Sequence, residues 1–236
     1  MSPKHATRVA ENLDAVQRRM RAAARRAGRE ASDVCLVAVT KYARLEWMRE
    51  LVVAGVRVFG ESRPQQLAER VPQFDPSLHW HLIGHLQRNK VRPVLPFIER
   101  IQSIDSIRLL QRVNAVADEL GLSPRVLLEV NVSGERTKDG FSPQDLLCDW
   151  DQFLQLQPAV IAGLMTMAPT SDDPEQSRPH FAALRELRDR LRARSPSEMT
   201  LPELSMGMSG DFEVAIEEGA TLIRVGSALF EGMTSP

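Results

Sequence analysis

Disulfide-forming cysteines are missing from this chain of 236 residues: Cys35 and Cys148 form no CxxC pair and stand far apart. They read as the buried thiols of a protein kept in a reducing compartment, not as a disulfide framework. Charge of one sign is missing too. Thirty Lys and Arg stand against 31 Asp and Glu, a net charge of −1, so no global pull toward nucleic acid or an anionic membrane exists. No apolar run approaches a membrane span, and residues 1–5 lack the hydrophobic core of a secretory signal. These absences leave a cytoplasmic protein that binds neither nucleic acid nor membrane. Aromatics are few, with a single tyrosine, Tyr42. Linkers rich in Pro, Gly or Ser are absent as well, so residues 1–236 read as one domain.

What is present begins with residues 34–40, seven apolar or β-branched residues in a row that end on Lys41. Such a run reads as a strand buried on both faces of a parallel sheet. A lysine at its end either surfaces there or sits in a dry pocket, where desolvation frees the amine to attack a carbonyl. Upstream, Val9, Leu13, Val16, Met20, Ala24 and Ala27 form a stripe at helical spacing over residues 5–27, with Gly28 as its stop. The arginines on the opposite face (Arg18, Arg19, Arg25, Arg29) are diluted by acids and have no interleaved aromatics, which makes that face a solvated one.

Downstream, strand patterns fall at 56–60, 78–83, 101–104, 126–132, 159–164, 203–206 and 221–225. Helical patterns fall between them at 45–54, 64–71, 107–120, 143–155, 177–194 and 210–218. Residues 87–98 are helical only in places, broken by Pro93 and Pro96. Ser106 reads as an N-cap and Gly121 as a stop. Eight strands alternating with helices predict a (β/α)8 TIM barrel with one extra N-terminal helix.

In such barrels chemistry gathers at the C-terminal ends of the strands. Lys41, Glu61-Ser62, His81 and His85, Asp105, Asn131, Met165-Thr166, Ser205-Met206-Gly207 and Arg224 with Gly226-Ser227 all fall there. Gly226-Ser227 leaves the eighth strand to open a final helix, where free N–H groups and a hydroxyl suit a phosphate. Ser205 to Ser209 can add donors from the neighbouring turn. His79, His81 and His85 invite a metal, but no paired carboxylate completes a ligand set. Met165, Met167, Met206 and Met208 are core filler or, at two strand ends, the apolar wall of a flat ring pocket. A nucleophilic lysine facing a phosphate turn suggests an aldehyde bearing a phosphate, pyridoxal 5′-phosphate (PLP), held as a Schiff base. Arg224 then lies near the ring, where a cation disfavours protonation of the pyridine nitrogen and weakens the electron sink.

These residues resemble the pyridoxal phosphate homeostasis family, barrel proteins of PLP fold type III similar to the N-terminal domain of alanine racemase. The resemblance is carried by 37–41, Phe59-Gly60-Glu61, the long stretch 80–90, 129–135, Lys138-Asp139-Gly140, Gly163 to Thr166, 204–209, 211–216 and 224–230. It implies that Lys41 is the Schiff-base lysine, that Arg224 neighbours the pyridine nitrogen, and that Ser205, Gly226 and Ser227 hold the phosphate. The cofactor-binding set expected from residues and resemblance together is Lys41, Ser62, His81, Met165, Ser205, Arg224, Gly226 and Ser227, with no catalytic and no metal residue assigned. Family members look like carriers or regulators of vitamin B6 and amino-acid pools without established turnover, which implies PLP-dependent apo-enzymes as acceptors and a monomeric chain. Departures exist: Glu61-Ser62-Arg63 replaces the usual Glu-Asn-Tyr, Ser227 replaces a threonine, and Gln102 replaces a common histidine. The alternative is a PLP-dependent amino-acid racemase. It would need a second base such as the tyrosine of an added domain, and the only tyrosine here adjoins Lys41.

Overall fold

The computed structural model describes residues 3–135 and 138–233. Its helices and strands alternate as the apolar patterning requires: α1 (Pro3–Arg26), β1 (Cys35–Val39), α2 (Leu45–Val53), β2 (Val58–Glu61), α3 (Pro64–Arg70), β3 (His79–Leu82) and α4 (Val91–Val94). Then follow β4 (Arg100–Ile104), α5 (Ile107–Leu120), β5 (Arg125–Glu129), α6 (Pro143–Phe153), β6 (Val160–Met165), α7 (Arg178–Ala193), β7 (Glu203–Ser205), α8 (Phe212–Glu217) and β8 (Leu222–Val225). All eight strands pair in parallel and in sequence order, and β8 closes on β1 through Val37↔Arg224 and Ala38↔Val225. The chain is a closed TIM barrel.

Local chemistry accounts for the element ends. The Ser106 hydroxyl accepts the Leu109 N–H at 3.3 Å to start α5, and Gly121 ends it at φ 65°. The Pro-interrupted stretch is one turn of α4 flanked by 3-10 turns at Arg88–Lys90 and Leu95–Phe97. β5 is shorter than its hydrophobic run predicts. After Glu129 only Val130 continues, as a single bridge to Phe141, because the Asn131 amide bonds the Glu135 and Lys138 carbonyls of the next loop. The segment after β8 is not a helix but one 3-10 turn, Ser227–Phe230.

Alternation within the strands makes two cores. Outward residues such as Ala38, Phe59, Ile101, Leu204 and Val225 pack under the helices, while Val37, Leu127, Ala162, Met165 and Leu222 form a small apolar layer inside the barrel. α1 buries Val9, Leu13, Val16, Met20 and Ala24 of the predicted stripe, while Ala27 lies past its end and is half-buried, and the helix docks on α8 and α2. Its polar face is tied down by ion pairs, Arg19 to Glu213 at 2.8 Å and Arg26 to Glu217 at 2.6 Å, which accounts for part of the arginine face. The cysteines are less enclosed than expected: Cys35 is half-buried and Cys148, on the outer face of α6, is exposed. Among the described residues no helix is long and apolar enough to cross a membrane.

β6 and β7 approach so closely at Gly163↔Glu203 that a Cβ on Gly163 would overlap the Glu203 carbonyl and stand 2.7 Å from its carbon. Gly163→Ala should cost about 3 kcal/mol or more by forcing the strands apart. Urea denaturation checks this; an unshifted midpoint would show that the two strands separate freely.

Candidate functional site

Lys41 stands on the turn that leaves β1, and the surrounding backbone is held by buried side chains. The Arg70 guanidinium on α3 donates to the Thr40 carbonyl at 2.7 Å and the Ala43 carbonyl at 2.8 Å. It also pairs with the buried carboxylate of Glu61, which accepts the Thr40 hydroxyl at 2.5 Å. Gln66 donates to the Lys41 carbonyl at 3.1 Å. Three carbonyls around one lysine are thus fixed from a single helix. The lysine side chain itself is exposed, its Nζ 5.1 Å from the Tyr42 ring centroid. The dry-pocket expectation therefore does not describe this structure: the fold positions the amine at a rim and does not desolvate it.

That rim belongs to a pocket of about 700 Å³ at the C-terminal end of the barrel, lined among others by Lys41, Ser62, Arg224, Gly226 and Ser227. Five of the eight sequence-predicted residues meet there. The β-strand period explains why: Val39 with Lys41, Gly60 with Ser62, and Arg224 with Gly226 point inward at the top of their strands. The backbone N–H groups of Gly226 and Ala228 converge on the Ser209 hydroxyl, both at 3.3 Å. A Cβ on Gly226 would come within 3.2 Å of the Val39 carbonyl, tighter than most contacts. The result is a small nest of backbone donors closed by the pocket-lining Ser209 hydroxyl.

His81, Met165 and Ser205 do not line this pocket. All three sit one layer deeper. Met165 packs in the apolar interior with Val37 and Leu127, and Met167 and Met208 supply the thioether wall instead. Ser205 is fully buried, its hydroxyl bridging the Arg224 guanidinium at 2.5 Å and the Gln102 amide at 2.6 Å. Gln102 continues to His81 Nδ1 at 2.8 Å, and Arg100 meets His81 Nε2 at 2.9 Å. Arginine can only donate, so Nε2 accepts and the ring is neutral. Burial first, then the charge of Arg100, pushes the His81 pKa down to about 3. Ser209, at the level of Gly226, takes the position foreseen for Ser205. The sequence signal for it was present in the segment 205–209 but did not say which hydroxyl faces the pocket.

Arg224 is 4% exposed and is held by Ser205 and by the Thr166 carbonyl at 2.8 Å. Burial lowers its pKa to about 10, so it stays cationic at neutral pH. Glu129, at the end of β5, is pushed up to about 7, first by burial and then by Asp105 and Asp139. The histidines do not converge. His79 pairs with Glu99, His81 with Arg100 and Gln102, and His85 Nδ1 with Asp105 at 3.1 Å.

The model of the alanine racemase N-terminal domain matches residues 12–234. Pyridoxal phosphate homeostasis proteins of Aquifex aeolicus and Pseudomonas aeruginosa are 41% and 40% identical to the chain; 93% and 94% of the chain and 96% and 94% of those proteins are covered. The chain belongs to the pyridoxal phosphate homeostasis protein family. A member of that family is expected to superpose on solved relatives, and it does. PipY of Synechococcus elongatus with PLP bound is 36% identical over 94% of this chain and 99% of PipY, at a TM-score of 0.82. The alanine racemase of Clostridium difficile, 15% identical at a TM-score of 0.74 with 58% of that enzyme covered, shares the fold.

Two outcomes follow from these buried networks. Arg70→Ala strands the Glu61 carboxylate and should cost about 3–5 kcal/mol in urea denaturation; a loss under 1 kcal/mol, on the order of a surface pair, would show that the clamp is idle. His81 takes up its proton near 6.5 when unfolded but only at about 3 when folded. Between these values the unfolded chain holds the extra proton. The His81 contribution is therefore fully present above pH 6.5 and falls below it by up to about 1.4 kcal/mol per pH unit. Between pH 7 and 4.5 it is opposed by Glu129, whose raised pKa makes the folded chain hold the extra proton there. His81→Gln should flatten that acid limb; denaturation midpoints from pH 7 to 4 with unchanged slope in the variant would contradict it.

Proposed function

We propose that this chain binds PLP in the pocket at the barrel mouth, with Lys41 as its covalent anchor, and acts in carrying PLP and balancing intracellular vitamin B6 and amino-acid pools. One observation carries the reading: an amine, a buried cation and a donor-rich glycine turn line one pocket of about 700 Å³, a size that suits a small cofactor. That PipY, to which the chain is similar, was solved with PLP bound supports PLP as the ligand. When bound, PLP supplies an aldehyde that condenses with a primary amine and a pyridine ring able to accept electrons.

The residues of this chain divide the work. The N–H groups of Gly226 and Ala228, with the hydroxyls of Ser209 and Ser227, receive the phosphate. Met167, Met208 and Ile83 wall the ring. Arg224 can only donate, so beside the ring nitrogen it keeps that atom unprotonated and restrains carbanion chemistry. That favours holding the cofactor over turning over substrate. Ser62 closes the near side; Ser205, Gln102 and His81 act below the floor by holding Arg224. Lys41, exposed at the rim, remains open to incoming amines, which suits release to PLP-dependent apo-enzymes in the cytoplasm.

The purified protein should show a borohydride-reducible imine absorbance that Lys41→Ala abolishes while the far-ultraviolet dichroism is retained. Peptide mapping of the reduced adduct to another lysine would overturn the assignment.

A further inference from the structure

The long stretch 80–90 reaches the Lys41 pocket only at Ile83. Its second half, from His85 to Asn89, lines a different cleft of about 870 Å³ between the turn after β3 and the start of α5, on the same face of the barrel. Arg88 contributes from the first wall, Arg108 and Arg112 from the second. Arg108 and Arg112 lie four residues apart on α5, so their charges share one helical face and repel. Among the described residues none of these three guanidinium groups has an ion-pair or hydrogen-bond partner, whereas nearby Arg100 pairs with Glu203 at 2.9 Å and Arg92 with Glu119. The one acid in the lining, Asp105, is engaged by His85 at 3.1 Å. Buried Leu86 and Leu109 back the cleft.

Three unpaired guanidinium groups gathered in one concavity of a chain whose net charge is −1 make a local excess of positive charge that a bound anion offsets. We propose that this cleft binds a phosphate-bearing small molecule, separately from the Lys41 pocket. The planar forks of Arg88, Arg108 and Arg112 match phosphate oxygens in a way that ammonium groups do not. The cleft also meets the N-terminal end of the 14-residue α5, where Ser106, Arg108 and Leu109 line it and the helix dipole favours negative charge. The side-chain amides of Gln87 and Asn89 are placed to read the uncharged part of the ligand. The cleft is open on its solvent side, and its volume of about 870 Å³ admits a molecule of nucleotide size.

Calorimetric titration of the PLP-saturated protein with pyrophosphate tests this. The expected result is one saturable site whose affinity falls about tenfold or more in Arg108→Ala and in Arg112→Ala, with little change in the exposed-arginine control Arg25→Ala. Citrate, a polycarboxylate, should bind more weakly. The PLP absorbance should persist throughout, so failure of this site is distinguishable from failure of the Lys41 reading. Absence of saturable heat, equal affinity in the arginine variants, citrate binding as tight as pyrophosphate, or loss of the PLP absorbance on titration would each overturn the proposal.

Discussion

A guanidinium enclosed in a barrel must find an acceptor for each group it presents, because an unmet buried cation costs far more than one hydrogen bond returns. Arg224 meets that demand with the Ser205 hydroxyl and the Thr166 carbonyl. Ser205 is in turn held by Gln102, Gln102 by His81, His81 by Arg100, and Arg100 by Glu203. This relay crosses the barrel interior among β8, β7, β4 and β3, strands brought together only by closure. The floor of the pocket is therefore a property of the whole barrel, and its cation is as rigid as the network below it.

The rim is built on a different principle. Lys41 has no dry environment, and its placement comes from the α3 side chains Arg70 and Gln66 gripping the carbonyls on either side. Rigid backbone with an accessible amine suits the covalent anchor proposed for Lys41. On the far side, Gly226 lets the chain pass within contact distance of β1 while its N–H donates to the Ser209 hydroxyl. Ser209 reaches the same nest from the adjoining loop, which the Met208 N–H to Asp211 bond at 2.7 Å holds in place.

Much of this was legible beforehand. Buried runs and helical stripes marked every strand and helix to within a few residues, and the Ser106 cap and Gly121 stop fell where their side-chain chemistry demands. Alternation also placed Lys41, Ser62, Arg224, Gly226 and Ser227 at one mouth. The end of β5 was overrun because Val130 and Val132 continue an apolar pattern that Asn131 breaks through its side-chain bonds.

By itself, then, the order of residues determined the eight-strand alternation, the inward parity at each strand top and the family to which the chain belongs, since each of these rests on local periodicity or contiguous motifs. Depth was decided only in three dimensions. Whether Ser205 or Ser209, and Met165 or Met167, faces the pocket depends on how far each strand is staggered against its neighbours as the sheet closes. The exposure of Lys41 and the burial of His81 depend on packing from helices and strands remote in sequence, which no local pattern records.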